Sequence, residues 1–176
     1  MILLDGEEVI KSRRTIRKFT EEDVSDETVR KIIEAGMLAP SAGNMQSWEF
    51  IIVRDKTTKY SLSQEALGQP HVLESPVTII VAANTKIAEK KYGSRGREVY
   101  CFVSAGAAIQ NMLLMAVSLG LGAAWVGSFK ERSVQEILKL PAEVRPVGII
   151  TLGHPADTPD IPKRRAYKEM VHNEKW

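Results

Sequence analysis

VYCFVSAGAAIQNMLLMAVSLGLGAAWVGSF, residues 99–129, contains no charged residue. It exceeds the roughly 20 residues that a bilayer-spanning helix needs, so its reading decides between a membrane protein and a soluble fold with a buried helix. Gln110 and Asn111 sit mid-run, Gly120 and Gly122 follow, and Ser104, Ala105, Gly106, Ala107 and Ala108 are small enough for close helix packing inside a protein. The run therefore predicts a buried central helix ending near Leu119, then a strand around Ala123 to Val126. Cys101, Met112 and Met115 are core residues on this reading.

Outward from that run, helical and strand patterns alternate without repeats or low-complexity linkers. Asp5 with Glu8 has the form of a capping box, predicting a first helix to about Arg14. Ser25 is an N-cap with Asp26 and Glu27 in the first turn, and Val29, Ile32, Ile33 and Gly36 share one face until Pro40 stops the helix. PSAGNMQS, 40–47, is a loop, and WEFIIV, 48–53, a strand closed by Arg54 and Asp55. Residues 58–67 suit a helix. VTIIVAAN, 77–84, and VGIITLG, 147–153, are β-branched runs of the kind buried on both faces. SVQEILKL, 133–140, is a short helix. The pattern predicts one domain over residues 1–176, a sheet covered by helices on both sides, with strand direction left open.

Composition excludes several classes of function. In a chain of 176 residues that is 44% hydrophobic and 26% charged, 24 Lys and Arg stand against 22 Asp and Glu. The net charge of +2 gives no global basic field, which argues against coating nucleic acid or an anionic membrane. The single cysteine, Cys101, excludes disulfide frameworks and thiolate metal clusters and suits a reduced, cytoplasmic setting. His71, His154 and His172 lack metal-ligand spacing and read as structural or exposed. MILLDGEEVI turns acidic before it reaches signal-peptide length, so no export is expected. There is no G-x-G-x-x-G after a strand, no phosphate-binding G-x-x-x-x-G-K-[ST], no G-x-S-x-G elbow, and no Ser/His/Asp, Cys/His or paired-carboxylate set.

Three polar clusters remain: SRRTIR at 12–17, PSAGNMQ at 40–46 and PKRR at 162–165. Arg13, Arg14, Arg17, Lys163, Arg164 and Arg165 could converge on a phosphate if the C-terminal tail returns to the start of the chain. The planar guanidinium offers bidentate hydrogen bonds to phosphate oxygens, and Ser12 or Thr15 adds a hydroxyl. Asn44 and Gln46 carry donors and acceptors that match the edge of a heterocycle, while Pro40, Ser41 and Gly43 let a backbone approach closely. Taken singly, each charge run reads as a solvated face and the loop as a turn.

Together the clusters resemble the FMN-dependent nitroreductase family. SRRTIRKF is similar to that family's R-R-[ST]-x-[RK]-x-F, APSAGNMQSWEF to its A-P-S-x-x-N-x-Q-x-W-x-F, and AGAAIQNMLLMAVSLGLGAAWVGSF to its central helix and flavin-edge strand. LGHPAD with PKRR resembles its C-terminal phosphate clamp. The resemblance spans nearly the whole chain, in the family's order, with Ser47 where proline often follows the glutamine. It implies an α+β fold with a central mixed β-sheet flanked by helices on both faces, and an intertwined homodimer with FMN at the subunit interface. It further implies that Arg13, Arg14, Thr15, Lys163 and Arg165 hold the FMN phosphate and ribityl chain, and that Arg17 stabilises reduced flavin at N1 and O2. Pro40, Ser41, Asn44 and Gln46 contact the pyrimidine side from the partner subunit. Gly127 and Ser128 reach N5, and Gln69 is a further contact. The implied reaction passes hydride from NADH or NADPH to flavin N5, then electrons to a nitroaromatic, quinone or similar electrophile in a ping-pong sequence. This needs no side-chain acid or base. The alternatives are a flavin- or nucleotide-binding module without turnover, a related flavin enzyme such as a reductive dehalogenase, and a nucleic-acid-binding domain, whose stacking aromatics the basic segments lack.

Overall fold

Local signals place most helix starts. In the computed structural model, which describes residues 5–176, the Asp5 carboxylate accepts the Glu8 backbone N–H at 2.8 Å and Glu8 reaches back to the Asp5 N–H at 3.4 Å. This capping box opens α1, Gly6–Ser12, which stops short of the expected Arg14. Ser25 Oγ accepts from Thr28 N–H at 3.2 Å and opens α2, Asp26–Met37. Asp55 does the same for α3, Lys56–Glu65, through Thr58 N–H at 2.7 Å. Hydrogen bonds from Thr58 hold that carboxyl below its ordinary value. The cap sits earlier than apolar periodicity suggests, so the helix begins two residues before the expected 58. Pro70 occupies the first turn of α4, Pro70–Glu74. Further along lie α5, Thr85–Arg95, a π turn at Gly96–Tyr100, α6, Cys101–Ser118, and α7, Glu131–Leu138.

Four strands form one sheet in the order β1-β2-β4-β3: β1 Trp48–Val53, β2 Val77–Asn84, β3 Gly122–Val126 and β4 Val144–Gly153. All three strand pairings are antiparallel. The expected mixed sheet is thus narrower in kind. Among the described residues its parallel element is a single bridge between Thr15 and Ala123. Apolar character cannot reveal direction, because a central antiparallel strand covered on both faces reads like a parallel one.

β2 carries that point. Val77, Ile79, Val81 and Ala83 pack with α2 and α6, including Ile32, Ile109 and Met112. Ile80, on the opposite face, joins Leu62, Ala66, Val72 and Val134 from α3, the α3–α4 turn, α4 and α7. Period-two alternation therefore feeds two cores, and both faces of the sheet are covered by helices. The continuous helical run Thr85–Ser118, which ends in α6, is long and apolar enough to cross a membrane by composition. Ser104, Ala105, Ala108, Ile109, Met112, Leu113 and Ala116 are nonetheless buried within the protein. Trimming Ile79 or Ile80 to Val would cost about 1 kcal/mol.

The N-terminal segment after α1 lies along the free edge of β3. Ile16 N–H donates to Ala123 O at 3.0 Å, Thr20 N–H to His154 O at 2.9 Å, and Ala156 N–H to Lys18 O at 2.9 Å. A Cβ on Gly122 would stand 2.7 Å from Ile16 Cβ, so only glycine admits this approach. The strand edge is thereby closed, and SRRTIRKF is fixed beside the C-terminal tail.

Candidate functional site: a basic pocket and a distant amide loop

Arg13, Arg14, Thr15 and Arg17 line a pocket of about 330 Å³ together with Pro159, Asp160, Pro162 and Arg164. The fold therefore joins the first cationic cluster to the tail. Among the described residues, Arg13, Arg17 and Arg164 make no side-chain hydrogen bond or ion pair, whereas Arg14 donates to Lys11 O at 2.7 Å and to Arg13 O at 2.8 Å. Burial, Arg164 and Arg14 all push the Arg13 guanidinium below its ordinary pKa. Four arginines against one carboxylate, Asp160, leave the pocket with an excess of positive charge, and an anion with several oxygens offsets that cost.

Lys163 and Arg165 do not line this pocket. The Arg165 guanidinium lies on its own tail, 2.9 Å from Glu169 O and 3.6 Å from a Glu169 carboxylate oxygen. Arg164 faces the pocket instead. In extended backbone successive side chains point to opposite sides, so a run of three cations cannot present all three to one ligand. The sequence supplied the run but not its phase.

Gln69 caps α4 without a side-chain cap bond. Its amide donates to Ala66 O at 2.9 Å, and Ser63 Oγ donates to its carbonyl at 3.0 Å. His71 follows and is buried. Burial first, then the charge of Arg17, lower its pKa, which favours the neutral imidazole. His71 Nε2 and Asp157 Oδ1 are buried without hydrogen-bond partners among the described residues. Asp157 stands 3.5 Å from Lys18, between the two segments that build the pocket. Sequence reasoning passed over His71 because nothing in its spacing marks a site. Its significance comes from burial beside the Arg17 segment.

The amide loop is elsewhere. Pro40 and Ser41 lead into a turn at Ala42–Asn44, and Gln46 N–H donates to Ser41 Oγ at 3.0 Å. Gly43, Asn44 and Gln46 have φ of 55°, 57° and 48°. Asn tolerates the left-handed region, but for Gln46 it is strain on the order of 1–3 kcal/mol, of the sort kept at functional loops. This loop precedes Trp48, whose β2 partner Ala83 pairs with Arg145 near the start of β4, while Thr15 pairs with Ala123, whose β4 partner is Leu152 near that strand's end. The two clusters occupy opposite edges and opposite ends of the sheet, about 23 Å apart along strands that rise about 3.3 Å per residue. One chain does not bring them together. Gly127 and Ser128 lie exposed just beyond β3, and a Cβ on Gly127 would meet nothing within 4 Å.

The sequence model described as the Nitroreductase family matches residues 10–72 and 63–154. An FMN reductase [NAD(P)H] of Bacillus subtilis is 34% identical over 185 residues, covering 96% of this chain and 74% of the relative. An oxygen-insensitive NADPH nitroreductase of Salmonella typhimurium is 30% identical over 176 residues, covering 96% and 73%. Among solved structures, the NADPH:FMN oxidoreductase from Vibrio harveyi complexed with NAD+ superposes with a TM-score of 0.89 at 28% identity, covering 97% of this chain and 77% of that one. The chain thus has the family's framework at about three quarters of these relatives' length.

Proposed function

The chain belongs to the nitroreductase family, and from that membership we propose that it is an NAD(P)H-dependent flavin oxidoreductase acting on small molecules. The observation that carries the reading is the pocket lined by four arginines, of which Arg13, Arg17 and Arg164 have no side-chain partner among the described residues. Its donor set fits the phosphate of FMN. When bound, FMN supplies hydride chemistry, taking two electrons from NADH or NADPH and releasing them to a nitroaromatic, quinone or similar electrophile.

The protein's part is binding, orientation and charge. Arg13, Arg164 and Thr15 hold the phosphate, with Arg14 keeping the end of α1 in place. Arg164 takes the position that the sequence reading gave to Lys163 and Arg165. Arg17 presents positive charge to the N1 and O2 edge and favours the reduced state. Gln69, the N-cap of α4, would be a further contact, and the backbone at Gly127 and Ser128 would reach N5. No general acid or base is required, which agrees with a pocket lined chiefly by arginines.

The site is completed by a second copy. The uncharged α6 leaves an apolar stripe uncovered, with Val103 66% exposed and Val99, just before the helix, 40% exposed. Trp125 on β3 is 41% exposed as well. Side chains of this kind are removed from water by a partner. A homodimer through this face can bring Pro40, Ser41, Asn44 and Gln46 of the partner subunit to the flavin, which the single chain cannot do. Residues 1–176 then act as one FMN-binding domain, and its need for NAD(P)H and its lone buried thiol suit the cytoplasm.

An absorption spectrum of the purified protein, taken before and after anaerobic NADH or NADPH, tests the reading. The expected result is a yellow protein, or one coloured stoichiometrically by FMN, that bleaches with the nicotinamide. A protein that holds FMN and never bleaches is a binding module. One that FMN neither colours nor stabilises is not a flavoprotein.

A further inference from the structure

The imidazole of His71 is 3% exposed, yet its Nε2 finds no partner among the described residues. Buried polar atoms are nearly always paired, so an orphan marks a place where a partner arrives. His71 lies on α4. The segment carrying Arg17 crosses the end of that helix: Phe19 and Thr20 share a groove wall with Leu73, Glu74, Ser75 and Pro76. A Cβ on Gly153 would lie 2.9 Å from Phe19 and 2.7 Å from Pro76, so the crossing is tight. Two residues upstream of Phe19, the charge of Arg17 reaches the buried ring, and Glu74 is the other charged group acting on it.

A neutral imidazole carries one N–H and one lone pair, whereas a guanidinium has five donors and no acceptor. Arg17 is exposed and has no side-chain partner among the described residues. An acceptor without a donor and a donor without an acceptor thus sit on adjoining segments. We propose that His71 is a positioning residue for Arg17: its neutral Nε2 accepts a guanidinium N–H and holds that charge at the flavin's N1 and O2 edge. The inference rests on the flavin reading above. Untethered, Arg17 would sample solvent and stabilise reduced FMN less. An imidazolium at this position would have no lone pair to offer and would repel the guanidinium.

A double-mutant cycle on the midpoint potential of bound FMN tests this. In His71→Leu, reduced FMN should be weakened about tenfold more than oxidised FMN, a fall of about 30 mV for a two-electron couple. In an Arg17→Ala background the same substitution should do almost nothing. His71→Gln, which keeps an acceptor, should recover most of the parent potential. Should His71→Leu fail to fold, His71→Phe keeps a ring without the nitrogen and takes its place in the cycle. In the apoprotein, 15N NMR should find the ring neutral with Nε2 unprotonated near neutral pH. An equal fall in both backgrounds, no fall where Arg17→Ala gives one, or an imidazolium in the apoprotein would each overturn the role of His71. An unchanged potential in Arg17→Ala would remove Arg17 from the flavin edge, and this inference with it. Failure of the parent to bind FMN at all would instead sink the flavin reading.

Discussion

The basic pocket and the amide loop are built to opposite rules. The pocket is assembled within one chain: backbone hydrogen bonds from Ile16 to Ala123 and from Thr20 to His154 clamp an arginine-rich segment against the sheet, leaving the Arg13 and Arg17 guanidinium groups without partners among the described residues. The amide loop is closed by local hydrogen bonds, with Lys91 and Tyr92 of α5 lying over Gly43. Its Ser41–Gln46 bond closes the turn on itself, and Asn44 and Gln46 hold left-handed backbone conformations on an exposed surface. A half-open pocket with an excess of positive charge suits an anionic ligand. A strained, exposed loop far from that pocket can serve the same ligand, on the proposed reading, only through a second subunit.

The comparison breaks most completely if the two regions cannot meet. Val103→Glu sets a charge on the uncovered face of α6 and, across a two-fold axis, brings it toward its own copy. Sedimentation should then report a monomer that retains its fold by circular dichroism and has lost tight FMN binding. A monomer that still binds FMN tightly would mean the amide loop is dispensable.

Next in size is the pocket itself. Arg13→Ala with Arg164→Ala removes two charge-assisted contacts worth roughly 1.5–3 kcal/mol each. FMN affinity should fall at least a hundredfold, as read by quenching of flavin fluorescence. The apoprotein should melt no lower than the parent, because clustered like charges are being removed. A lower melting temperature with unchanged affinity would make the cluster structural.

A smaller loss is expected at the loop. Asn44→Ala removes one neutral amide, worth about 0.5–1.5 kcal/mol, so FMN should weaken by about tenfold at most while the dimer persists. A loss as large as that at the arginines would erase the distinction between the regions. The smallest effect concerns pH. Because the folded-state pKa of His71 lies below its ordinary value, unfolded chains take up a proton first as pH falls. Stability is therefore full above about 6.5 and declines below it, down to the folded pKa. Chemical denaturation of apoprotein at several pH values should reveal this slope, and His71→Gln should flatten it. An identical slope in the variant would assign it to other groups.

Capping chemistry was readable because it is local. Asp5, Ser25 and the Pro40 stop fall where α1, α2 and the following loop begin or end. The central helix was readable because Gln110, Asn111 and a string of small residues are poor membrane ligands and good packing residues. Arg13, Arg14, Thr15 and Arg17 were readable as a cluster, and the structure gathers all four around one pocket. The choice of Arg164 over Lys163 and Arg165 was not, since it depends on the phase of an extended segment. His71 was silent for a related reason: one histidine in a short helix carries no signal until burial orphans its nitrogen.

What the sequence determined by itself is most of the elements, α4 and α5 excepted, the two-faced burial of β2, and the residue types from which an anion site can be made. These follow from periodicity, capping and charge, all of which act over a few residues. Strand direction, the order β1-β2-β4-β3, and the joining of Arg13–Arg17 to the tail belong to tertiary structure. The strand pairings join residues tens of positions apart, such as Val77 with Leu152, and the arginine segment reaches its sheet edge through residues more than a hundred positions apart, such as Ile16 with Ala123 and Thr20 with His154. No local preference encodes such a pairing. It is selected because it closes a sheet edge and buries Ile16, Gly122 and Gly153 together with the rest of the core.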